Sequence, residues 1–111
     1  MSQVPPKAAV LAAQQAIEAL DHPIRQRILA LLYRDRAEMA YGDIAKALKI
    51  EDNSAIAHHL KVLVGAALVG NQLKRTEGRI RSLYFISDAG ALWLEKTGLD
   101  APEQVRVLLK A

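Results

Sequence analysis

Apolar residues recur at helical spacing along most of the chain, and the period changes once, near residue 68. In residues 8–20, Val10, Ala13, Ile17 and Leu20 fall on one side of a helix. Asp21-His22-Pro23 punctuates the chain. Asp21 or His22 is placed to cap a second helix, and Pro23 suits its first turn. That helix is predicted to run to about residue 35. Ile24, Ile28, Leu31 and Leu32 share its inner face, with Gln26, Arg27 and Arg34 elsewhere. Residues 39–41 read as a short extended link. A brief helix over 42–48 turns Ile44, Ala47 and Leu48 inward. Glu51-Asp52-Asn53 is a polar turn, and residues 54–65 form a fourth helix.

Beyond Ala67 the pattern becomes that of strands. Residues 68–75 and 80–87 are predicted as a pair, with 76–79 as the loop and Glu77-Gly78 as its turn. Ser87 or Asp88 caps a fifth helix that ends at Gly98. A tail helix over 102–110 places Val105, Leu108 and Leu109 on one side. Two short helices across a tight turn, followed by a hairpin, are the layout of a winged helix-turn-helix. The expected fold class is therefore mainly α with a small β-hairpin, in the order α-α-α-α-β-β-α and then the tail helix. Residues 1–7, with Pro5 and Pro6, read as a flexible arm, and 8–111 as a single domain.

The chain has 111 residues, 51% of them hydrophobic and 24% charged, enough apolar material for one packed core. Aromatics are only 5%, so that core is built from Leu, Ile, Val and Ala. The net charge of +3 permits an anionic partner without demanding one. No cysteine is present, which excludes disulfides, thiolate metal sites and cysteine nucleophiles. No signal-peptide pattern opens the chain, and no stretch nears the ~18 apolar residues of a membrane span. A cytoplasmic protein is expected.

Candidate chemistry concentrates in the fourth helix and the hairpin. At about 100° per residue, Ser54, His58, Lys61 and Gly65 share a narrow sector, opposite Ile56, Leu60 and Leu63. One side is thus fit to bury. The other carries short or hydrogen-bonding groups, as a helix entering the major groove requires. Asn53 and Ser54 stand at the helix start, where backbone N–H groups favour a phosphate. The hairpin carries Lys74, Arg75, Arg79 and Arg81 against Glu77 alone, giving a basic tip suited to phosphates or the minor groove. Each feature also has a plainer reading, as a solvated helix face and as an edge protected from aggregation.

His58 and His59 point about 100° apart on a helix and cannot converge on one ion. No metal or other cofactor is expected. His59 is placed beside the core and His58 outward. Asp21, Asp35, Asp43 and Asp88 lie at helix ends or turns, and no nucleophile–base arrangement or glycine-rich phosphate loop emerges, so an enzyme is not expected. Trp93 suits core or dimer packing. Apolar residues of the first helix (Val10, Leu11, Ile17) and of the tail (Val105, Leu108, Leu109) exceed what one small core needs, which predicts a dimer.

The run Ala19-Leu20-Asp21-His22-Pro23-Ile24-Arg25-Gln26-Arg27-Ile28-Leu29 resembles the opening of ArsR/SmtB-like winged helix-turn-helix regulators. Ser54-Ala55-Ile56-Ala57-His58-His59-Leu60-Lys61-Val62-Leu63 resembles their recognition helix, and Gly78-Arg79 through Tyr84-Phe85-Ile86-Ser87 their wing. The resemblance covers residues 17–97. It implies a homodimeric transcriptional regulator, a repressor, with the first and last helices at the dimer interface. It places Asn53, Ser54, Ala57, His58 and Lys61, with Arg79 and Arg81, at DNA-contacting positions. Two departures stand out. Ala57 replaces a frequent serine, and Ala40-Tyr41-Gly42-Asp43-Ile44 replaces the cysteine-bearing element of the metal-sensing members. Metal-thiolate sensing is therefore not expected. Two other functions fit the same layout: a winged-helix protein–protein interaction module, and a general chromatin or DNA-architectural protein.

Overall fold

The computed structural model describes residues 6–110, and the order of elements follows the sequence pattern. They are α1 (Lys7–Leu20), α2 (Pro23–Asp35), α3 (Tyr41–Leu48), α4 (Asn53–Gly65), β1 (Val69–Thr76), β2 (Arg79–Ile86), α5 (Asp88–Thr97) and α6 (Pro102–Lys110). Of the expected arm over 1–7, Lys7 already belongs to α1, and residues 1–5 lie outside the described part.

α2 is the centre of the molecule. His22 caps it, its Nδ1 accepting the Ile24 N–H at 3.1 Å, and Pro23 occupies the first turn. Five consecutive residues, Ile28 to Leu32, are buried, so α2 is apolar nearly all round at its middle rather than one-sided. The reason is enclosure: α1, α3, α4, α5, α6 and β2 all pack against it. Its polar residues turn inward to bond carbonyls. Gln26 Nε2 donates to the Leu20 carbonyl at 2.9 Å. Arg27 Nε donates to the Leu108 carbonyl at 2.8 Å, and its Nη2 to the Leu48 carbonyl at 2.9 Å.

α3 and α4 form the helix-turn-helix across a turn begun by Lys49, which is left-handed at φ 58°. α3 buries Ile44, Ala45 and Leu48. Ala47, expected inward, is exposed, because α3 begins at Tyr41 and presents the Ala45 side to α2 and α4.

β1 and β2 pair antiparallel from Val69↔Ile86 out to Thr76↔Arg79. The connection is the two residues Glu77 and Gly78, both at positive φ (52° and 77°), instead of the four-residue loop expected. Paired positive φ values match the twist of the strands, and glycine adopts them without strain. Met39 extends the sheet by a single bridge: its N–H donates to the Tyr84 carbonyl at 2.9 Å, and the Tyr84 N–H donates back at 2.8 Å. The expected extended link is thus real at Met39, whereas Tyr41 opens α3.

Ser87 fastens the hairpin to α5. Its hydroxyl donates to the Ala67 carbonyl at 2.7 Å and accepts the Gly90 N–H at 2.9 Å. Gly90 is needed there, since a Cβ would collide with the Leu68 carbonyl oxygen.

The tail helix corrects one expectation. Val105 is only 8% exposed, and Leu109 packs against the core. Leu108 is half-buried beside the Arg27 contact. Val105 and Leu109 are covered within their own chain, and Leu108 meets α2 through its carbonyl, because α6 folds back along α2 instead of projecting. The exposed apolar residue of α6 is Val107.

Candidate nucleic-acid interface

α4 is amphipathic as its spacing requires. Ile56, His59, Leu60 and Leu63 are buried, while Asn53, Ser54, Ala57, His58 and Lys61 are exposed together with Gly65. The buried residues seat the helix on α2 and α3. The exposed ones are small, or end in a hydrogen-bonding group.

The start of α4 differs from expectation. Asp52 Oδ1 accepts the N–H of Ser54 at 3.0 Å, the N–H of Ala55 at 3.4 Å and the Ser54 hydroxyl at 2.6 Å. The Ser54 donors that were to greet a phosphate, and the Ala55 N–H beside them, are taken by a carboxylate of this chain. The Ser54 hydroxyl, followed by the two backbone N–H groups, holds the Asp52 carboxyl below the usual carboxylate range. Counting Asp52 into the polar turn hid this. An aspartate two residues before a helical serine is the signal of a cap.

His59 lies inside, as expected, but with unforeseen company. Its ring centroid is 4.3 Å from that of His22 and 5.4 Å from that of His58, and its Nδ1 lies 3.4 Å from Arg25 Nη1. Burial lowers its pKa, and the neighbouring charges of His22, Arg25 and His58 lower it further. Arg25 also donates from Nε to the Ala19 carbonyl at 2.6 Å and from Nη2 to the Glu18 carbonyl at 3.3 Å. The cluster thus ties the end of α1 to α2 and to the inner face of α4. Among the described residues, no group of three or more His, Cys, Asp or Glu side chains is placed to hold a metal ion.

The wing separates the four cations read from the sequence. Lys74 pairs with Glu38 at 3.4 Å and Arg81 with Asp43 at 3.3 Å. Glu77 is therefore not the sole acid facing them, since the α2–α3 connection and α3 supply two more. Arg75 and Arg79 are exposed and have no ion-pair partner among the described residues. The strand register puts Lys74, Arg79 and Arg81 on one face of the hairpin. The opposite face carries Arg75 with Leu73 and Ile80, which are 72% and 65% exposed. That apolar face was not anticipated, although Leu73 and Ile80 do alternate with the cations.

On the far side of the molecule α1 exposes Val10, Leu11 and Ile17, the last at 55%. Leu92 of α5 is exposed as well. Trp93 is half-buried, packs on the core and lines an open cleft of about 330 Å³ with Ile17, Leu20 and Leu99. An apolar surface thus runs across α1 and α5.

A family model for a helix-turn-helix domain matches residues 20–69, from the end of α1 to the start of β1. The chain is similar in structure to the homodimeric winged helix-turn-helix DNA-binding domain (fragment 1–100) of Mb0332 from Mycobacterium bovis, a possible ArsR-family transcriptional regulator. The TM-score is 0.67 at 26% identity, over 95% of this chain and 93% of that one. It also shares its fold with the adhesin competence repressor AdcR of Streptococcus pyogenes, with a TM-score of 0.56 at 16% identity over 96% of this chain and 79% of that one. No curated protein shows a significant sequence match to the chain. With six helices and a two-stranded wing among the described residues, and the helix-turn-helix match at their centre, the chain has the winged helix-turn-helix fold and is similar to a possible ArsR-family regulator.

Proposed function

We propose that the protein is a sequence-specific double-stranded-DNA-binding transcriptional regulator that acts as a homodimer. The observation that carries this reading is the juxtaposition of α4's exposed face (Ser54, Ala57, His58, Lys61) with a projecting hairpin whose Arg75 and Arg79 have no ion-pair partner among the described residues. In this reading α4 enters the major groove. His58 and Lys61 reach base edges, Asn53 approaches the DNA backbone, Ser54 does so only when its hydroxyl leaves Asp52, and Ala57 allows close approach. Arg75 and Arg79 bind phosphates directly. Lys74 and Arg81 exchange Glu38 and Asp43 for phosphates on docking. The apolar α1–α5 surface forms the dimer, in keeping with the homodimeric Mb0332 domain. Two copies of α4 would then read half-sites about 34 Å apart. A dimer seated on promoter DNA excludes other proteins from it, which is the physical basis of repression.

The test is selection of bound sequences from random duplex DNA, followed by anisotropy on the selected duplex. A palindromic site bound with strong salt dependence is expected, and no binding at low salt rejects the reading. The dimer is tested by Ile17→Asp, which should give a monomer by light scattering at micromolar concentration where the parent chain is dimeric. A second reading, a protein-interaction module, is favoured by the exposed Leu73 and Ile80 on the wing. It predicts a stable protein partner whose capture is unaffected by Arg79→Ala and Arg81→Ala.

A further inference from the structure

An open cleft of about 510 Å³ lies between the end of α2 and α6, away from α4 and the wing. Its size is that of a small-molecule site, ~300–1,000 Å³. Val105, Leu109 and the face of the Tyr33 ring not covered by Arg36, whose guanidinium lies 4.5 Å from the ring centroid, supply apolar walls, and Arg34, Arg106, Lys110 and Asp100 supply the charges. These charges are not equivalent. Arg34 is held by both carboxylate oxygens of Asp35, at 2.7 and 3.1 Å. Arg106 and Lys110 stand one helical turn apart, with no ion-pair partner among the described residues. Asp100 is the one carboxylate that lines the cleft itself, while Asp35 holds Arg34 and Glu95 accepts the Tyr33 hydroxyl at 3.3 Å.

We propose that this cleft binds a small organic monoanion with a flat apolar body. The body would lie against Tyr33, Val105 and Leu109, and the anionic group would face Arg106 and Lys110. Asp100 disfavours a second negative charge. The site does not depend on the DNA reading, but it has a physical line to α3. Arg27 donates simultaneously to Leu108 of α6 and to Leu48, the last residue of α3. A ligand that shifts α6 therefore pulls on the carbonyl that opens the turn into α4.

The test needs no DNA. Naphthoate is titrated into the isotope-labelled protein and followed by amide chemical shifts, with uncharged naphthamide as the control. Saturable shifts are expected at Tyr33, Val105, Arg106 and Leu109, accompanied by shifts at Leu48 and Lys49. Naphthamide should bind at least about tenfold more weakly, since it lacks the charge-assisted contact. The variant Arg106→Gln/Lys110→Gln should weaken naphthoate by a similar factor without changing the melting temperature. Equal binding of the amide to the parent protein overturns the proposal, as does the absence of saturable shifts at millimolar concentration or shifts centred on the α1–α5 cleft. Shifts that stop at α6 overturn the relay through Arg27.

Discussion

Each wing carries two guanidinium groups, Arg75 and Arg79, with no ion-pair partner among the described residues, so the proposed dimer carries four. If each neutralises one phosphate, Arg75→Ala/Arg79→Ala flattens the slope of log K against log salt by about 3.6, at ~0.9 per contact. Between about 50 and 200 mM salt that difference amounts to ~150-fold in affinity, read against the parent protein at both ends of the series. Lys74→Ala and Arg81→Ala should weaken binding less. Each of these cations first gives up an ion pair with Glu38 or Asp43, at 3.4 and 3.3 Å between exposed partners, which offsets up to about 1 kcal/mol of its gain. All four side chains are exposed, so melting temperatures should stay near the parent value. The assay is fluorescence anisotropy of the selected duplex in a potassium chloride series. An unchanged slope in Arg75→Ala/Arg79→Ala refutes the reasoning, and so does an equal loss from the paired cations.

Three further outcomes are expected. His58→Ala should change which sequence is preferred in a binding selection more than it changes affinity for random duplex, because His58 is on the exposed face of α4. Gly90→Ala should destabilise the fold by about 1–3 kcal/mol in urea melts, since the added methyl meets the Leu68 backbone carbonyl, which cannot swing aside. Stability should also fall as pH drops through the ordinary histidine range. Burial lowers the folded-state pKa of His59, so below about pH 6.5 the unfolded chain takes up the proton more readily. Urea midpoints at neutral and mildly acidic pH should differ more in the parent than in His59→Gln.

Elements that obey a single local rule were legible from the sequence. His22-Pro23 marked the start of α2, Glu77-Gly78 the turn, and the spacing of Ile56, Leu60 and Leu63 the buried side of α4. What escaped were relations between distant segments. The partners of Lys74 and Arg81 come from 36 and 38 residues earlier in the chain. Val105, Leu108 and Leu109 looked surplus because nothing local shows that α6 returns along α2 to meet Arg27, 81 residues before Leu108. His22 and His59 are both visible in the sequence, but their ring contact is a property of helix packing. Asp52 was the exception, a local cap concealed by its acidic neighbour Glu51.

The Met39–Tyr84 bridge has a bearing on the operator. It fastens the segment leading into α3 to the middle of β2, so the helix-turn-helix and the wing share one frame. Such a frame acts as a ruler. If α4 reads bases and the wing grips phosphates as proposed, the distance between the two within a half-site is set by main-chain bonds. On that reading, one base pair inserted there should put α4 and the wing out of register with each other. In the proposed dimer, the same insertion at the centre of a palindrome would strain only the joint between the two protomers.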